Sequence, residues 1–500
     1  MSDHASGPES CGVPDGLPSI SGSDEDINSA TTDRPAALPG DDVNINMVQS
    51  AFALALHMHQ PMIPAGAEEL HVAPLISNVQ HMLGRERESE RRRAEHYLEC
   101  YGRIAELIRG ALAAGGRPRI MLDYSGTLLW GLEQMGRVDV LARLRKLTME
   151  DPGRRCIEWL GTTWGHAVAG STPAADLVLQ MRAWQHHFAS LFGLEALSRV
   201  RGFSPPEMNL PNHPDQAYAF VGALRECGYH WLLVQRDSVE QLDGSAVECP
   251  YLPHKLVARN LAGDSVSITA LVKTRASDNT LIAAMQPIAE AHTQRRVRLG
   301  GRMVPALVAQ IGDGENGPEI VHEFPRAFIN AFANLAGPHV VALNGSEYLG
   351  LLEAAGVEPN AYPAVQPVHQ HRLWERLNEQ DEPDLQAVVR ALKKEDARFR
   401  LDGASWDFRR SWVKGYAALL RRMNRLSGRF HEVLDDADVD RGSHAYRNAL
   451  LHLLLSQTSC FRYWGRGRWT RYGEEICRRA EDILRYDFGS GGGARRVRSK

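Results

Sequence analysis

Apolar and polar positions along this chain follow two periods. From Ala51 onward, short apolar runs of strand length end in polar or glycine-rich corners, and segments with helical spacing follow them. The strand ends read LALHMHQP (54–61), RIMLDYSG (119–126), CIEWLGTTWGH (156–166), VRGFSPPE (200–207), YHWLLVQRDS (229–238), ALVAQIGDGEN (306–316) and HVVALNGSEY (339–348). Amphipathic stretches such as 95–115, 138–150 and 214–228 lie between them. This alternation predicts parallel strands joined by right-handed crossovers. Polar residues terminate nearly every strand, whereas an open doubly wound sheet gathers them near one switch point, so the pattern predicts an α/β barrel. An eighth apolar run, SVSITALVK (265–273), finds no place in this count. Past Tyr362 the strand pattern gives way to helical spacing, which predicts a C-terminal α-helical bundle over 362–488.

The ends of the chain read differently. Residues 1–48 are rich in Ser, Gly, Pro and Asp and cannot bury enough apolar surface to offset ordering entropy, so they are expected to form a disordered acidic leader. Residues 489–500 (GSGGGARRVRSK) read as a flexible basic tail, which leaves 49–361 as the barrel. With 500 residues, 43% apolar and 24% charged, the chain has the composition of an ordinary globular protein with a large core. A net charge of −4 and the lack of a concentrated basic stretch argue against nucleic acid as a partner. The seven cysteines are scattered and never form CxxC, which favours reduced thiols and a cytoplasmic location. The N-terminus has no basic segment followed by an apolar one, and no apolar run approaches the ~20 residues that span a bilayer, so no membrane association is expected.

Chemistry concentrates at the strand ends. An extended segment puts alternate side chains on one face, so His57 and His59 can point the same way before Pro61 turns the chain out of the sheet. Such a pair can contribute to a metal site, which needs further ligands, or can bind sugar hydroxyls. Gln60 favours the second reading, because amides are poor zinc ligands. Glu207 follows two prolines that stiffen its turn, a rigid mount suited to a nucleophilic carboxylate. Asp313 and Glu315 lie two apart in IGDGENG, among glycines that permit unusual backbone angles. Glu158, Trp164 and His166 add an acid, an aromatic face and an imidazole at a third strand end, a combination proteins use to hold sugars.

Taken in order, HMHQP, EWLGTTWGH, FSPPE, GDGENG and NGSEYL resemble the five sequence regions of glycoside hydrolase family 57, over about residues 50–360. The resemblance implies a distorted (β/α)7 barrel followed by helices and a retaining enzyme acting on α-glucans, with neither metal nor organic cofactor. It implies Glu207 as nucleophile and Asp313 as general acid/base. It also implies that His57, His59 and His166 line the donor-sugar subsite with Glu158, and that Ser125 and Gly126 approach the substrate. Gln60, Trp164 and Glu315 join the expected substrate-binding set. Trp464 and Trp469 in QTSCFRYWGRGRW (457–469) are the leading candidates for a glucan-stacking wall, as are Trp406 and Trp412. Ser204 and Pro205 stand where family members commonly carry an aromatic, and no His or Trp follows Asp313 as in several subgroups. Hydrolysis, 4-α-glucan transfer and branching stay open, as does the oligomeric state. Two alternatives remain. One is a metal-dependent barrel hydrolase of mannosidase or polysaccharide deacetylase type using His57, His59 and Asp313. The other is a non-catalytic glucan-binding protein.

Overall fold

The strand that places the site is β1 (Ser50–Met58), and its side-chain alternation sets the architecture. Ala51, Ala53 and Ala55 face an inner apolar cluster, whereas Phe52, Leu54, Leu56 and Met58 pack outward against helices. The computed structural model of the protein describes residues 16–32, 43–275, 279–335, 337–379, 384–406, 410–435 and 437–489. Around β1 run β2 (Ile120–Tyr124), β3 (Ile157–Gly161), β4 (Gly202–Phe203), β5 (Trp231–Gln235), β6 (Ser265–Lys273) and β7 (Ala306–Asp313). Neighbours pair in parallel from β1 through β6. β7 pairs with β1 on one side and with β6 on the other, through Lys273 and Ala309, which closes a seven-stranded barrel.

The predicted barrel is therefore present, but one of its seven strands is not the predicted one. Residues 265–273, the run without a place, form β6. They also make an antiparallel hairpin with the strand Pro253–Arg259, which extends the sheet outside the ring. Residues 340–342 form a short strand β8 (Val340–Ala342) that pairs only with Ser50, Ala51 and Phe52 of β1, below the four residues that β2 occupies. β8 leads into helix α4 (Gly345–Ala354), and the barrel interior at that end is filled by Trp231. Gly202 and Gly345 flank that indole so closely that a Cβ on either would lie 2.2 or 2.3 Å from it. Trp231 Nε1 donates to Ser346 Oγ at 2.9 Å.

Helices α5 (Ala417–Leu434), α6 (His444–Ser456) and α8 (Arg468–Phe488) pack on one another, and the short α7 (Cys460–Tyr463) sits between the last two. Their apolar faces join the same cluster that surrounds the barrel, so bundle and barrel share one core. The region read as purely helical also holds a strand, Ala364–Pro367, paired with Pro253–Arg259; its four residues are too few to register as a strand pattern. Part of the span 1–48, read as a disordered leader, is ordered. Helix α1 (Asp24–Thr31) buries Ile27, the preceding turn buries Ile20, and Asp24 pairs with His186 at 2.9 Å on α3 (Ala174–Phe192). Two isoleucines suffice to dock eight residues against a preformed surface, although average composition hides them. The rest of the predicted leader at 1–15 and 33–42, and the tail from 490, lie outside the described residues. No described helix is long and apolar enough to cross a membrane, and all six described cysteines are free.

Candidate active site

Strand register assembles the first part of the site. His57 continues the inward series Ala51, Ala53, Ala55, and its Cα partners are Asp313 on β7 and Asp123 on β2. One imidazole at the carboxyl end of β1 is thus flanked by two carboxylates from adjacent strands. Its Nδ1 donates to Asp123 Oδ2 at 2.8 Å. Burial by itself would lower the His57 imidazole, but the charge and hydrogen bond of Asp123, reinforced by Asp313 and Glu207, outweigh it and raise it to about 9. His57 is an imidazolium at neutral pH.

Glu207 follows β4 in a turn with left-handed backbone at Glu207 (φ 58°) and Met208 (φ 49°), a conformation costly for residues with a Cβ. Segment 404–406 runs beside this turn and holds it. The Trp406 backbone N–H donates to the Glu207 carbonyl at 3.2 Å, and its indole Nε1 donates to Glu207 Oε2 at 2.8 Å. Ser459 Oγ donates to the other oxygen, Oε1, at 3.2 Å. Burial pushes the Glu207 carboxyl up, opposed by His57, Trp406 and Ser459, and leaves it at about 7.

Asp313 is fixed from its own loop. Its Oδ1 accepts the backbone N–H groups of Glu315 (2.9 Å) and Asn316 (3.0 Å), and its Oδ2 accepts the Asn316 side-chain amide at 2.5 Å. The Asn316 side-chain Oδ1 accepts in turn from Tyr97 Oη at 2.6 Å, on helix α2 (Glu88–Gly102). Glu315 is buried beside it. Burial first, and then the charge of Asp313, raise its carboxyl to about 8.

The three histidines interlock. His166, itself in left-handed backbone (φ 55°), approaches His57 with Nε2 to Nε2 at 3.0 Å and bonds Ser459 Oγ through Nδ1 at 2.7 Å. His59 stacks on His166 with centroids 3.7 Å apart, and its own nitrogens meet Ser125 Oγ at 2.8 Å and Cys460 Sγ at 3.3 Å. Burial holds both His59 and His166 well below the usual imidazole range, so they are neutral.

These groups line one cavity of about 620 Å³. His57, His59, His166, Glu207, Asp313 and Glu315 form its inner wall, and Trp406, Trp464 and Trp469 an aromatic side, with Arg93 and Arg468 also on its lining. The structure thus brings nine of the predicted residues to one cavity and leaves the others outside its lining. Glu158 faces the opposite end of the barrel, where it accepts from Ser346 N (3.0 Å) and Ser346 Oγ (2.5 Å) at the start of α4. The inward alternation that carries His57 to the top of β1 leaves Glu158, the second residue of β3, near the bottom. Trp164 is fully buried and donates to His187 Nδ1 at 3.0 Å. Ser125 caps the following helix and holds His59. Gln60 bridges Glu315 (2.7 Å) and Asn78 (2.9 Å) behind the wall. Trp412 is also buried, against Tyr463 and away from the cavity. Asp123, Asn316, Tyr97 and Ser459 escaped the sequence reading. Asp123 alone carried a signal, since it occupies the inward position of a strand end already singled out.

His57, His59 and Asp313, the ligand set of the metal-dependent alternative, do not converge. Both ring nitrogens of each histidine are taken by protein groups, and no group of three or more His, Cys, Asp or Glu among the described residues could hold a metal ion.

Residues 53–265 match the family model for glycosyl hydrolase family 57. Among solved structures, the chain is similar to 4-α-glucanotransferase from Thermococcus litoralis, with a TM-score of 0.54 and 16% identity over 88% of this chain and 60% of that one. The chain therefore spans only about 60% of the length of that relative. It is also similar to a GH57-type branching enzyme from Pyrococcus horikoshii (TM-score 0.48, 11% identity, 88% of this chain, 91% of that one). The α-amylase AmyC from Thermotoga maritima gives a TM-score of 0.49 at 10% identity over 87% of this chain and 93% of that one. No curated protein sequence matches the chain.

Proposed function

Residues 53–265 match the model of glycosyl hydrolase family 57, and from that match we propose that the protein is a member of the family and a retaining enzyme that cleaves or transfers linkages of α-glucans such as starch, glycogen or maltooligosaccharides. The observation that carries this reading is the pair of carboxylates, Glu207 and Asp313, lining one cavity together with His57, His59, His166, Trp406, Trp464 and Trp469. Glu207, mounted on a strained turn and held by two donors, attacks the anomeric carbon. Asp313 gives a proton to the departing glycosidic oxygen and then removes one from the acceptor. Trp464, 41% exposed, and Trp469 offer flat apolar faces to the C–H side of further sugar rings. Water, a 4-hydroxyl or a 6-hydroxyl as acceptor gives hydrolysis, transfer or branching. The catalytic unit in this reading is the barrel at 49–361, completed by the helical region at 362–488. A cytoplasmic location belongs to the same proposal, supported by the free thiols of the six described cysteines.

The test is to incubate the purified protein with amylose, maltooligosaccharides and glycogen and to resolve products by size and branch content. New chain lengths or branch points are expected, and Glu207→Gln should reduce their formation by about three orders of magnitude or more. Unchanged substrates would overturn the α-glucan assignment. Full activity in Glu207→Gln would overturn the role of Glu207.

A further inference from the structure

Five buried groups stand in an unbroken hydrogen-bonded line from the barrel to the bundle. Asp123 Oδ2 meets His57 Nδ1 at 2.8 Å, and His57 Nε2 meets His166 Nε2 at 3.0 Å. His166 Nδ1 then meets Ser459 Oγ at 2.7 Å, and Ser459 Oγ meets Glu207 Oε1 at 3.2 Å. Backbone contacts fix the joint between the two ends, for Ser459 N donates to the His166 carbonyl at 3.1 Å and Ala167 bridges Thr458.

Such a line has two proton arrangements that satisfy every member. In one, Glu207 carries a proton and donates to Ser459, Ser459 donates to His166 Nδ1, and His166 donates from Nε2 to a singly protonated His57. In the other, each proton has moved one place. Glu207 Oε1 gives its proton to Ser459 Oγ, which gives its own to His166 Nδ1, and His166 releases the Nε2 proton to His57 Nε2. Glu207 is then a carboxylate and His57 an imidazolium beside Asp123, with no net change in protons or charge.

We propose that Asp123, His57, His166 and Ser459 form a proton relay that ionises and orients Glu207 without recourse to solvent, with Asp123 and Ser459 as its positioning residues. The inference rests on Glu207 being the nucleophile. It assigns to the bundle a part in the chemical step, since Ser459 lies between α6 and α7. The wider surroundings favour the ionised arrangement. His57, His166, Arg410, Arg462 and Cys460 face Glu207 from the neighbouring elements, and of these His57 and the two arginines bring positive charge. His57 itself is faced by Asp123, Asp313 and Glu207, against the neutral rings of His59 and His166.

The experiment combines trapping with pH profiles on the full chain. A 5-fluoro-α-glucosyl fluoride is used to label the nucleophile, and peptide mass spectrometry locates the label. Initial rates on maltoheptaose are then measured from pH 4 to 10 for the wild type, Asp123→Asn, Ser459→Ala and Ser459→Thr. The label is expected on Glu207. In Asp123→Asn and Ser459→Ala the acid limb of kcat/KM should move to higher pH by about one unit, with kcat lowered about tenfold or more and KM little changed. Ser459→Thr, which keeps the hydroxyl, should return the limb toward the wild-type position. A merely structural role would lower the rate at every pH and leave the limb in place. Histidine-selective 15N spectra in a His431→Gln background, which removes the other imidazole raised to about 9, supply a readout independent of turnover: one imidazole should hold both protons at pH 7.5 and lose one on adding Asp123→Asn. Absence of a label on Glu207 overturns the nucleophile assignment and the relay with it. A label on Glu207 with unmoved acid limbs, or with no doubly protonated imidazole in the His431→Gln background, overturns the relay alone.

Discussion

The nucleophile's hydrogen bonds separate its two oxygens by role. Oε1 faces the serine of the bundle, and Oε2 faces the Trp406 indole, which lies outside the line of proton transfer. Trp406→Phe keeps an aromatic ring on the cavity wall and deletes the N–H donor. A hydrogen bond to a charged group contributes about 1.5–3 kcal/mol, so kcat should fall on the order of 10- to 100-fold. Because the indole N–H helps hold the Glu207 carboxyl down, the acid limb should also move to higher pH in the same rate profiles, while the His57–Asp123 pair and its doubly protonated imidazole are retained. At this scale the sequence was informative wherever a side chain ends a strand on the inward face, as His57, Asp313 and Glu207 do. It was silent on Ser459 and Asn316, whose importance comes from what they touch across 252 residues of chain or within a loop. Nothing in a serine between a leucine-rich helix and a short aromatic one marks it as a partner for a distant glutamate.

Strands and helices show the same divide in a different form. The count of seven strand ends agrees with the ring, yet β8 had been counted in place of β6. Local pattern gives the type of an element, and pairing decides its membership. β6 begins with an exposed serine because its first half pairs only with an outer hairpin strand, and the apolar β8 lies half-buried below β2 without joining the ring. The misplacement of Glu158 has the same source. A strand-end motif reads as though all its residues sit at the mouth, but a barrel strand of five residues spans the interior from one face toward the other. Glu158→Ala is expected to leave kcat and KM within about twofold and to lower stability by roughly 2–4 kcal/mol, since it abandons two buried donors of Ser346. Denaturant unfolding alongside maltooligosaccharide kinetics separates the two effects, and a raised KM with unchanged stability would place Glu158 back at the substrate.

For the molecule as a whole, buried titratable groups set how stability varies with pH. His57 and His431 are both raised from 6.5 to about 9, His57 despite its burial and through Asp123, and His431 through its hydrogen bonds to Asp176 and Asp435. A folded-state value above the unfolded one gives stabilisation that is complete below pH 6.5 and lost as pH rises through about 9. Glu158, Glu207 and Glu315, raised from 4.5 by burial to about 7, 7 and 8, act with the same sign over the lower part of the range. His59 and His166, held low by burial, work in the opposite sense, and their contribution fades as pH falls below 6.5. The melting temperature should therefore decline between pH 6.5 and 9, and His431→Gln should flatten that decline without touching the cavity. A melting temperature constant across this window in the wild type would contradict the assignment. The way the bundle reaches into the site bears finally on how such a protein can be altered. Trp406 and Ser459 grip the nucleophile from outside the barrel, and α5, α6 and α8 close the same core that surrounds it. Barrel and bundle are thus not interchangeable parts. A chimera that grafts a foreign helical region onto residues 49–361 would present an intact pair of carboxylates and an unarmed nucleophile unless the counterparts of residues 404–406 and 458–460 travelled with the barrel.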